Sequence, residues 1–402
     1  MFKRAISWVA FVMLALLVAF PAAAQSDWSL YLFNSSTQQV LRVYLDGTQQ
    51  AYDLGIPAGS FTGQRSIDFS SDGNRVAFCV PVNEPNGAHS YLYIKDVASS
   101  QPLTVDMGMG DGCWVTYSED NTQVAVGVVH YYAGATGVDT SVPPWELVVV
   151  DAATGQKLDE MNAAKAAVAQ FDPEPRSYMP DVRYFNNSQI IFGAVPWGTE
   201  GFPISPAYFW QLGDDSIQSI DRWWRWGVDS LSATGELVWM ELDPNFAAAD
   251  PGGPMPQSNV VKLADKSGQE HVIYANPQWV LTGTHFIDNG RQLAIGELQA
   301  FDLNNPEAQQ TTRWMALDRS GTVSELASGL GFSELSSAPD GYIILWASDN
   351  NIPSTLTLEY RSGRETTQLW QQQANNGISW SLLWAAPTPT ADGLAAFPAV
   401  TP

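Results

Sequence analysis

The chain has 402 residues and a strong excess of acid, with 42 Asp and Glu against 19 Lys and Arg and a formal charge of −23. Such a chain is a poor partner for nucleic acid, whose phosphates are bound by cationic surfaces. Its length exceeds the usual size of a single core, although evenly spaced repeats allow one closed domain of this length.

The first residues have the features of a secretory signal. Lys3 and Arg4 precede an apolar run over residues 5–20, and three alanines follow at 22–24. We assign residues 1–24 to a signal peptide and predict a secreted or periplasmic protein, whose formal charge becomes −25 because cleavage removes two cations. The alternative is an uncleaved anchor, but the run is shorter than the ~20 apolar residues that a membrane span needs. We predict no membrane span.

The rest of the chain is organised by a repeated hairpin. It is clearest at Ser66–Val80 (SIDFSSDGNRVAFCV), where two apolar strands flank a Ser-Asp-Gly turn. Gly tolerates the positive φ that such a turn needs, and Ser and Asp side chains bond nearby backbone groups. A second clear copy is Leu335–Ala347, and four looser copies lie between them. The six turns are anchored at Asp72, Asp120, Asn187, Thr234, Asn289 and Asp340, at spacings of 48, 67, 47, 55 and 51 residues.

Each hairpin is followed by two more strand-like segments joined by a small polar turn. Four short antiparallel strands at a period of about fifty residues are typical of a β-propeller blade. Three N-terminal segments lack a first strand, and a lone strand near the C-terminus can supply it. These segments are Ser29–Asn34, Gln39–Asp46, Gln49–Leu54 and Ile378–Ala385. We therefore predict an all-β fold over residues 25–386, a β-propeller of four-stranded antiparallel blades, with a seventh blade closed by both chain ends. Six or eight blades are the alternatives.

Several predicted strands are apolar throughout, such as Val76–Val80, Ile190–Phe192 and Ile343–Trp346. This pattern favours sheets that are buried on both faces between neighbouring blades. The Pro- and Ala-rich C-terminal tail, residues 387–402, either adds a further strand or lies loose.

The SSDG and APDG hairpins, each followed by an apolar strand and later by a D-x-x-[ST]-G-type turn, resemble the WD40-like repeats of TolB-type propellers. Ser71-Asp72-Gly73 and Pro339-Asp340-Gly341 match best, and the period covers most of the chain. The resemblance implies a propeller fold. TolB-type proteins carry an α/β domain before the propeller and dock an envelope lipoprotein, whereas strands begin here almost at the start of the predicted mature chain.

The two cysteines of an exported protein suggest a disulfide. Cys79 lies late in the second strand of one hairpin, and Cys113 opens the first strand of the next. Neighbouring blades would therefore bring them together at the end of the sheets away from the hairpin turns. Two buried free thiols are the alternative.

Strand order places the hairpin turns and the turns between third and fourth strands at one end of the propeller. That end, the short-turn face, has only tight turns. The opposite end, the long-loop face, receives the long insertions, and function tends to lie on loops held by a rigid scaffold. The insertions are predicted at Pro81–Ser90, His130–Trp145, Asn162–Pro180, Ala194–Pro206, Asp243–Ser258 and Glu297–Thr311.

Aromatic residues are dense on the predicted long-loop face, where they could stack on sugar rings or grip a peptide. The candidate ligand-binding residues are Tyr131, Tyr132, Trp145, Trp197, Trp223, Trp224 and Trp226. Nearby acids, including Asp243, could bond hydroxyls or amines. The alternative is that these aromatics pack between blades and under the loops.

One position of the first strand is polar in all six aligned copies, which are Asp68, Thr116, Arg183, Ser230, His285 and Ser336. First strands line the central channel of a propeller, so we predict a water-filled channel with Asp68, Arg183 and His285 as its charged or titratable members. Solvated or mutually paired channel residues are favoured over a catalytic trio.

Motifs of known catalytic sites are absent: the sequence has no G-x-S-x-G, no H-E-x-x-H, no Walker loop and no EF-hand series. Its four histidines show no metal-ligand spacing. We therefore predict no catalytic residue, metal or cofactor, and expect a protein that binds an envelope or extracellular protein or a glycan on the long-loop face. The alternatives are a propeller enzyme acting on carbohydrate through paired carboxylates, and a structural envelope scaffold.

Overall fold

Seven four-stranded antiparallel sheets form the blades of a β-propeller. The computed structural model describes residues 28–34, 36–56, 64–85, 87–130, 144–162, 165, 178–196, 206–223, 226–231, 234–246, 258–299, 311–331, 333–339, 341–347, 354–374, 380–385 and 391–402. Within these ranges the only helical segments are two 3₁₀ turns, and no helix is long and apolar enough to cross a membrane. The predicted fold class and the count of seven blades are confirmed. The proposed signal peptide lies outside the described residues.

The strands are numbered β1 to β28 in chain order. Blade 1 contains β1 (Ser29–Asn34), β2 (Gln39–Tyr44), β3 (Gln49–Tyr52) and β28 (Trp380–Ala385). Blades 2 and 3 contain β4 (Ile67–Phe69), β5 (Arg75–Glu84), β6 (Gly87–Asp96), β7 (Leu103–Met109), β8 (Gly112–Tyr117), β9 (Gln123–Val129), β10 (Trp145–Asp151) and β11 (Lys157–Asn162).

Blades 4 and 5 contain β12 (Tyr178–Phe185), β13 (Gln189–Pro196), β14 (Pro206–Gln211), β15 (Gln218–Trp223), β16 (Trp226–Leu231), β17 (Glu236–Glu241), β18 (Val260–Ala264) and β19 (Glu270–Ala275). Blades 6 and 7 contain β20 (Trp279–Ile287), β21 (Gln292–Gln299), β22 (Thr311–Asp318), β23 (Val323–Leu330), β24 (Ser333–Ala338), β25 (Gly341–Ala347), β26 (Ser354–Ser362) and β27 (Glu365–Ala374).

Blade 1 closes the ring as the sequence predicts. Its innermost strand, β28, comes from the C-terminal part of the chain and pairs antiparallel with β1, with Phe33 opposite Ser381. The innermost strands β28, β4, β8, β12, β16, β20 and β24 each contact the next, and β24 contacts β28 again. The seven sheets therefore form a closed ring around a central channel, which leaves no gap between the first and last blades.

The apolar core lies between neighbouring blades. The side chains of Val76–Val80 are all buried, as expected for a sheet covered on both faces. Between blades 1 and 2, the rings of Tyr31 and Phe69 stack with their centroids 4.3 Å apart. Similar buried clusters join blades 2 and 3, 3 and 4, 5 and 6, 6 and 7, and 7 and 1. At these interfaces the blades are thus stabilised by packing against their neighbours.

The hairpin turns of blades 2 and 3 contain the same side-chain hydrogen bonds. In blade 2, the Ser70 hydroxyl donates to the Asp72 carboxylate (2.6 Å) and accepts from the Arg75 backbone N–H (2.9 Å). In blade 3, Ser118 makes the same two bonds with Asp120 and Gln123, at 2.9 and 3.0 Å. These side chains fix the turn by bonding groups that the strands leave unpaired.

The turns also bond to one another across blades. Asn121, in the turn of blade 3, accepts from the Ser71 N–H (2.6 Å) and donates to its hydroxyl (2.7 Å) in blade 2. Asn187, in the turn of blade 4, donates to the Asp120 carboxylate of blade 3. The short-turn face of blades 2 to 4 is therefore a linked row of turns.

Blades 2 and 3 are also joined by a disulfide between Cys79 and Cys113, whose Cα atoms are 5.8 Å apart. This confirms the predicted pair and removes the free-thiol alternative. The Ser66 hydroxyl donates to the Cys113 carbonyl oxygen at 2.7 Å. Because the disulfide lies toward the long-loop face and the Ser71–Asn121 contact at the short-turn face, this interface is fixed at both ends.

Residues 391–402 of the C-terminal tail form no strand and pack on blades 5 and 6. Phe397 is 3% exposed, and the guanidinium of Arg319 lies 4.4 Å from its ring centroid. Arg319 also donates to the Ala395 carbonyl oxygen (2.6 Å) and pairs with Glu236 of blade 5 (2.7 Å). The tail is therefore anchored through the buried ring of Phe397, where it links the surfaces of two blades, although most of its residues are exposed.

Reducing the disulfide is expected to lower stability substantially. The loop it closes spans 34 residues, and the chain-entropy model assigns such a loop about 3 to 4 kcal/mol. Urea unfolding of the oxidised and reduced protein measures the difference in midpoint. A Cys79→Ala, Cys113→Ala double variant, which has no disulfide to reduce, is the control for effects of the reductant. Identical midpoints for the oxidised and reduced wild type would contradict the prediction.

Gly73→Ala is expected to destabilise the ring beyond the cost of its backbone conformation. Gly73 has φ of +67°, and a Cβ there would lie 2.4 Å from the Trp384 indole. Gly55 is the matched control, because its φ is +71° and a Cβ would meet nothing within 4 Å. The left-handed conformation costs about 1–2 kcal/mol in both alanine variants, and overpacking adds about 1–3 kcal/mol in Gly73→Ala alone. Equal losses in thermal unfolding of the two variants would exclude the contribution of Trp384.

Candidate functional site

The long-loop face differs from prediction at one insertion. The sequence predicts a long insertion over Pro81–Ser90. Instead β5 continues to Glu84 and β6 begins at Gly87, with Pro81 opposite Ser90. Because β4 pairs with β5 only as far as Phe78, the missing N–H of Pro81 costs no bond with β4. Much of each other predicted insertion lies outside the described residues.

Two cavities lie in the described part of the central channel. The larger, of about 320 Å³, is lined by Arg65, Trp114 and Pro180, which lie within three residues of the starts of innermost strands. It therefore lies toward the long-loop face, and we call it the entrance cavity. The smaller, of about 220 Å³, reaches the short-turn face. Asp68 and Thr116 line both, so the two cavities lie end to end along the channel.

Two arginines share one carboxylate beside the entrance cavity. Arg65 Nη1 lies 3.3 Å from Asp181 Oδ1, and Arg183 pairs with the other oxygen of the same carboxylate. Asp181 is buried, whereas the Arg65 side chain is 49% exposed. Burial lowers the pKa of Arg183 to about 10, against the stabilising charge of Asp181. The register of β12 shifts between Val182 and Tyr184, so Arg183 sits at a bulge that re-aims its side chain.

Three acids on innermost strands bond to the next blade around the ring. Asp68 of blade 2 accepts from the Tyr117 N–H of blade 3 at 2.7 Å. Asp229 of blade 5 accepts from the Phe286 N–H of blade 6 at 2.7 Å. The third bond, from the Leu382 N–H of blade 1 to Glu334 of blade 7, is also 2.7 Å long. These acids accept from backbone N–H groups of innermost strands, which have no neighbouring strand on the channel side to pair with.

Burial is the main cause of raised pKa values in two of these acids. It raises the pKa of Asp68 to about 6, opposed by the N–H donors of Tyr117 and Phe69. It raises the pKa of Glu334 to about 7, opposed by the Leu382 donor. Both carboxyl groups therefore hold protons in the folded protein at pH values where ordinary carboxyl groups are ionised.

Only one predicted aromatic ligand-binding residue has a described side chain. Trp145 is 1% exposed, and its ring lies 6.0 Å from that of Phe192 in the cluster between blades 3 and 4. Trp145 therefore packs in the apolar core between blades 3 and 4. Trp223 ends β15 and Trp226 begins β16, but their side chains are outside the described part. Tyr131, Tyr132, Trp197 and Trp224 lie outside the described residues.

The predicted channel trio is only partly brought together. Asp68 and Arg183 both line the smaller cavity, whereas His285 lines neither cavity. The His285 ring lies 6.1 Å from that of Trp314 in the same blade. Burial lowers the pKa of His285, opposed by the Asp229 carboxylate, so the neutral imidazole is favoured.

The sequence prediction missed Arg65, Trp114 and Asp181 at the entrance cavity. All three lie near the starts of innermost strands, just before the polar position aligned across the repeats. A search for charged or aromatic residues at those starts would have found them. Within the described ranges, no three His, Cys, Asp or Glu residues gather in a way that could hold a metal ion.

The molecule is therefore a seven-bladed β-propeller with a cavity at its channel entrance. No protein-family model and no curated protein matches the sequence. Prolyl oligopeptidase B from Galerina marginata, bound to a 35mer hydrolysis and macrocyclization substrate, aligns with a TM-score of 0.56 and 11% identity over 85% of this chain and 48% of its own. With a 25mer macrocyclization substrate, that enzyme aligns with a TM-score of 0.57 and 10% identity over 86% of this chain and 49% of its own.

The β-propeller domain of the Trilobed protease from Pyrococcus furiosus aligns with a TM-score of 0.49 and 10% identity, covering 83% of this chain and 89% of that domain. At such identities the likeness shows the fold alone. This chain spans about half the length of the prolyl oligopeptidase B chains that it matches.

The raised pKa values of Asp68 and Glu334 predict that the stability these two groups contribute falls as pH rises. Between roughly pH 4, where free carboxyl groups ionise, and pH 7, the folded protein retains protons on Asp68 and Glu334 that the unfolded chain releases. The contribution of these two groups to the free energy of unfolding therefore decreases over this range, whereas buried His285, whose pKa is lowered, contributes in the opposite direction. Glu334→Gln should flatten the decrease, measured by urea unfolding at a series of pH values. Glu365→Gln, at an exposed site of the same blade, is the control, and equal slopes in wild type and Glu334→Gln would refute the assignment.

Proposed function

We propose that this protein is an exported, non-catalytic binding protein that engages a protein partner or a glycan at the channel entrance on its long-loop face. The observation that carries this proposal is the entrance cavity of about 320 Å³, lined by partly exposed Arg65 and Trp114. Its volume lies within the range of ligand-binding sites. The surrounding strands belong to a closed ring, which can hold such a site rigidly.

Export is supported by the signal-like N-terminus and by the disulfide, since disulfides persist in oxidising compartments. We place the protein in the periplasm or outside the cell, with an envelope or extracellular partner. A relationship to WD40-like repeats of the TolB type is supported by the Ser-x-Asp turns, whose hydrogen bonds repeat between blades 2 and 3.

The contacts of the nearby acids favour binding over catalysis by paired carboxylates. Asp68 accepts two backbone N–H bonds, and Asp181 pairs with two arginines. Asp243, a predicted rim acid, accepts from the Asn245 backbone at 3.0 Å and lies 3.2 Å from the Lys262 ammonium. Each carboxylate thus has a structural role, whereas a glycosidase needs one acid free to donate a proton and another free to attack or activate water.

Trp114→Ala is expected to reduce capture of the partner at least about tenfold, because burying a large apolar side chain contributes on the order of 1.5–3 kcal/mol. The measurement uses the purified protein on a glycan array and in pull-downs from an envelope extract, with binding quantified by titration. Trp279→Ala is the matched control, since Trp279 is a partly exposed tryptophan at the start of another innermost strand and lines neither cavity. Equal binding by the two folded variants would place the site elsewhere.

The predicted aromatic run gives a second test. If Trp224 and Trp226 contribute to the same binding surface, the Trp224→Ala, Trp226→Ala double variant loses affinity while its thermal unfolding stays cooperative and near that of the wild type. Unchanged affinity in the folded double variant would remove the run from the surface and leave the entrance cavity as the site.

A further inference from the structure

The entrance cavity of this acidic chain is bordered by two arginines. The chain carries a formal charge of −23, yet the charged groups lining or bordering this cavity are Arg65, Arg183, Asp181 and Asp68. Two guanidinium groups face one ionised carboxylate, and Asp68 is the fourth group. With Asp68 ionised this set is neutral, and with Asp68 protonated it carries one net positive charge. The entrance therefore does not share the strong acidity of the chain, and Arg65 is its exposed charged group.

Arg65 is the group of this set that can reach a ligand. Its side chain is 49% exposed, and the described structure gives it one hydrogen bond, to Asp181 at 3.3 Å. A guanidinium has five N–H donors, so most of its donors stay available. Arginine binds carboxylates through paired, charge-assisted hydrogen bonds.

The remaining cavity wall favours an apolar group beside the anion. Trp114 and Leu383 line the cavity and are partly exposed, whereas Ile67 and Val115 also border it but are buried. A sugar would need many free hydrogen-bonding groups. Asp68 and Asp181 already accept bonds from backbone and arginine groups, so the wall fits an apolar side chain better than a hydroxylated ring.

We propose that the entrance cavity binds the C-terminal carboxylate of a polypeptide chain whose last residue is apolar. Arg65 binds the carboxylate, and the terminal side chain packs on Trp114 and Leu383. Capture of a chain end is a known mode of peptide recognition. The site lies within a ring of blades, which a chain end can enter with its carboxylate first. This inference rests on the proposed binding function and specifies its partner as a protein.

The test compares N-acetylated hexapeptides ending in Leu, Phe or Val, as free acids and as C-terminal amides, by calorimetric titration of the purified protein. The free acids are expected to bind at least about tenfold more tightly than the amides, since a charge-assisted bond contributes about 1.5–3 kcal/mol. Arg65→Ala should abolish this preference, and Arg65→Lys should restore part of it. Arg291→Ala, a partly exposed arginine of a hairpin turn, is the control and should bind like the wild type.

Oligogalacturonate, an acidic glycan, is titrated in parallel. The inference is overturned if acids and amides bind equally, if neither binds, if Arg65→Ala keeps the preference, or if the glycan binds through Arg65 and the peptides do not. The binding function is judged separately, by the effect of Trp114→Ala on capture from the envelope extract. If capture depends on Trp114 but free acids and amides bind equally, the proposed binding function stands. Only the inference that the ligand is a chain end is then rejected.

Discussion

The pairing of β28 with β1 is the contact on which the whole ring depends. The strand completes two interfaces at once, because Trp380 and Leu382 pack in the cluster with blade 7 while Leu383 and Trp384 pack in the cluster with blade 2. The register shift between Tyr31 and Leu32 changes the side of the sheet on which these residues lie. Since the cores lie between blades, an open ring would expose two apolar sheet faces and not merely one edge.

The binding site that we propose lies in the most strongly fixed part of this ring. Most of its lining comes from blades 2, 3 and 4, with Leu383 from blade 1, and the turns of blades 2 to 4 are linked through Asn121 and Asn187. Cys113, which forms the disulfide to blade 2, immediately precedes Trp114. Fixing the backbone on both sides of a site lowers the entropy lost when a ligand binds. Closure, disulfide and turn contacts therefore act together to hold the cavity in shape.

The repeat made most of the fold predictable from the sequence. Asp-Gly and Asn-containing turns between apolar strands are local signals, and six copies at similar spacing identify the blade and its count. The disulfide followed because aligned repeats put Cys79 and Cys113 at the same end of adjacent sheets. The extension of β5 through Pro81 did not follow, because it depends on how far β4 pairs alongside.

The site was less predictable because most of its polar residues lie one to three residues before the position that the repeats align. Asp68 was found by alignment, but Asp229 and Glu334, which bond across blades in the same way, lie one and two residues before the aligned positions Ser230 and Ser336. A carboxylate can reach the backbone N–H of the next blade from either of these positions. The geometry therefore does not fix the sequence position of the acid within the repeat.

The two faces of the propeller are under different physical constraints. On the short-turn face, turn residues bond to each other between blades, so a change in one turn disturbs its neighbour. On the long-loop face, buried ion pairs hold the strand ends, as where Lys262 lies 2.9 Å from Glu241. Such a pair fixes the ends of the two strands from which a long connection leaves the ring. A change in a turn is therefore expected to disturb the neighbouring blade on the short-turn face, whereas the entrance cavity opens onto the opposite face, where ion pairs within a blade hold the strand ends.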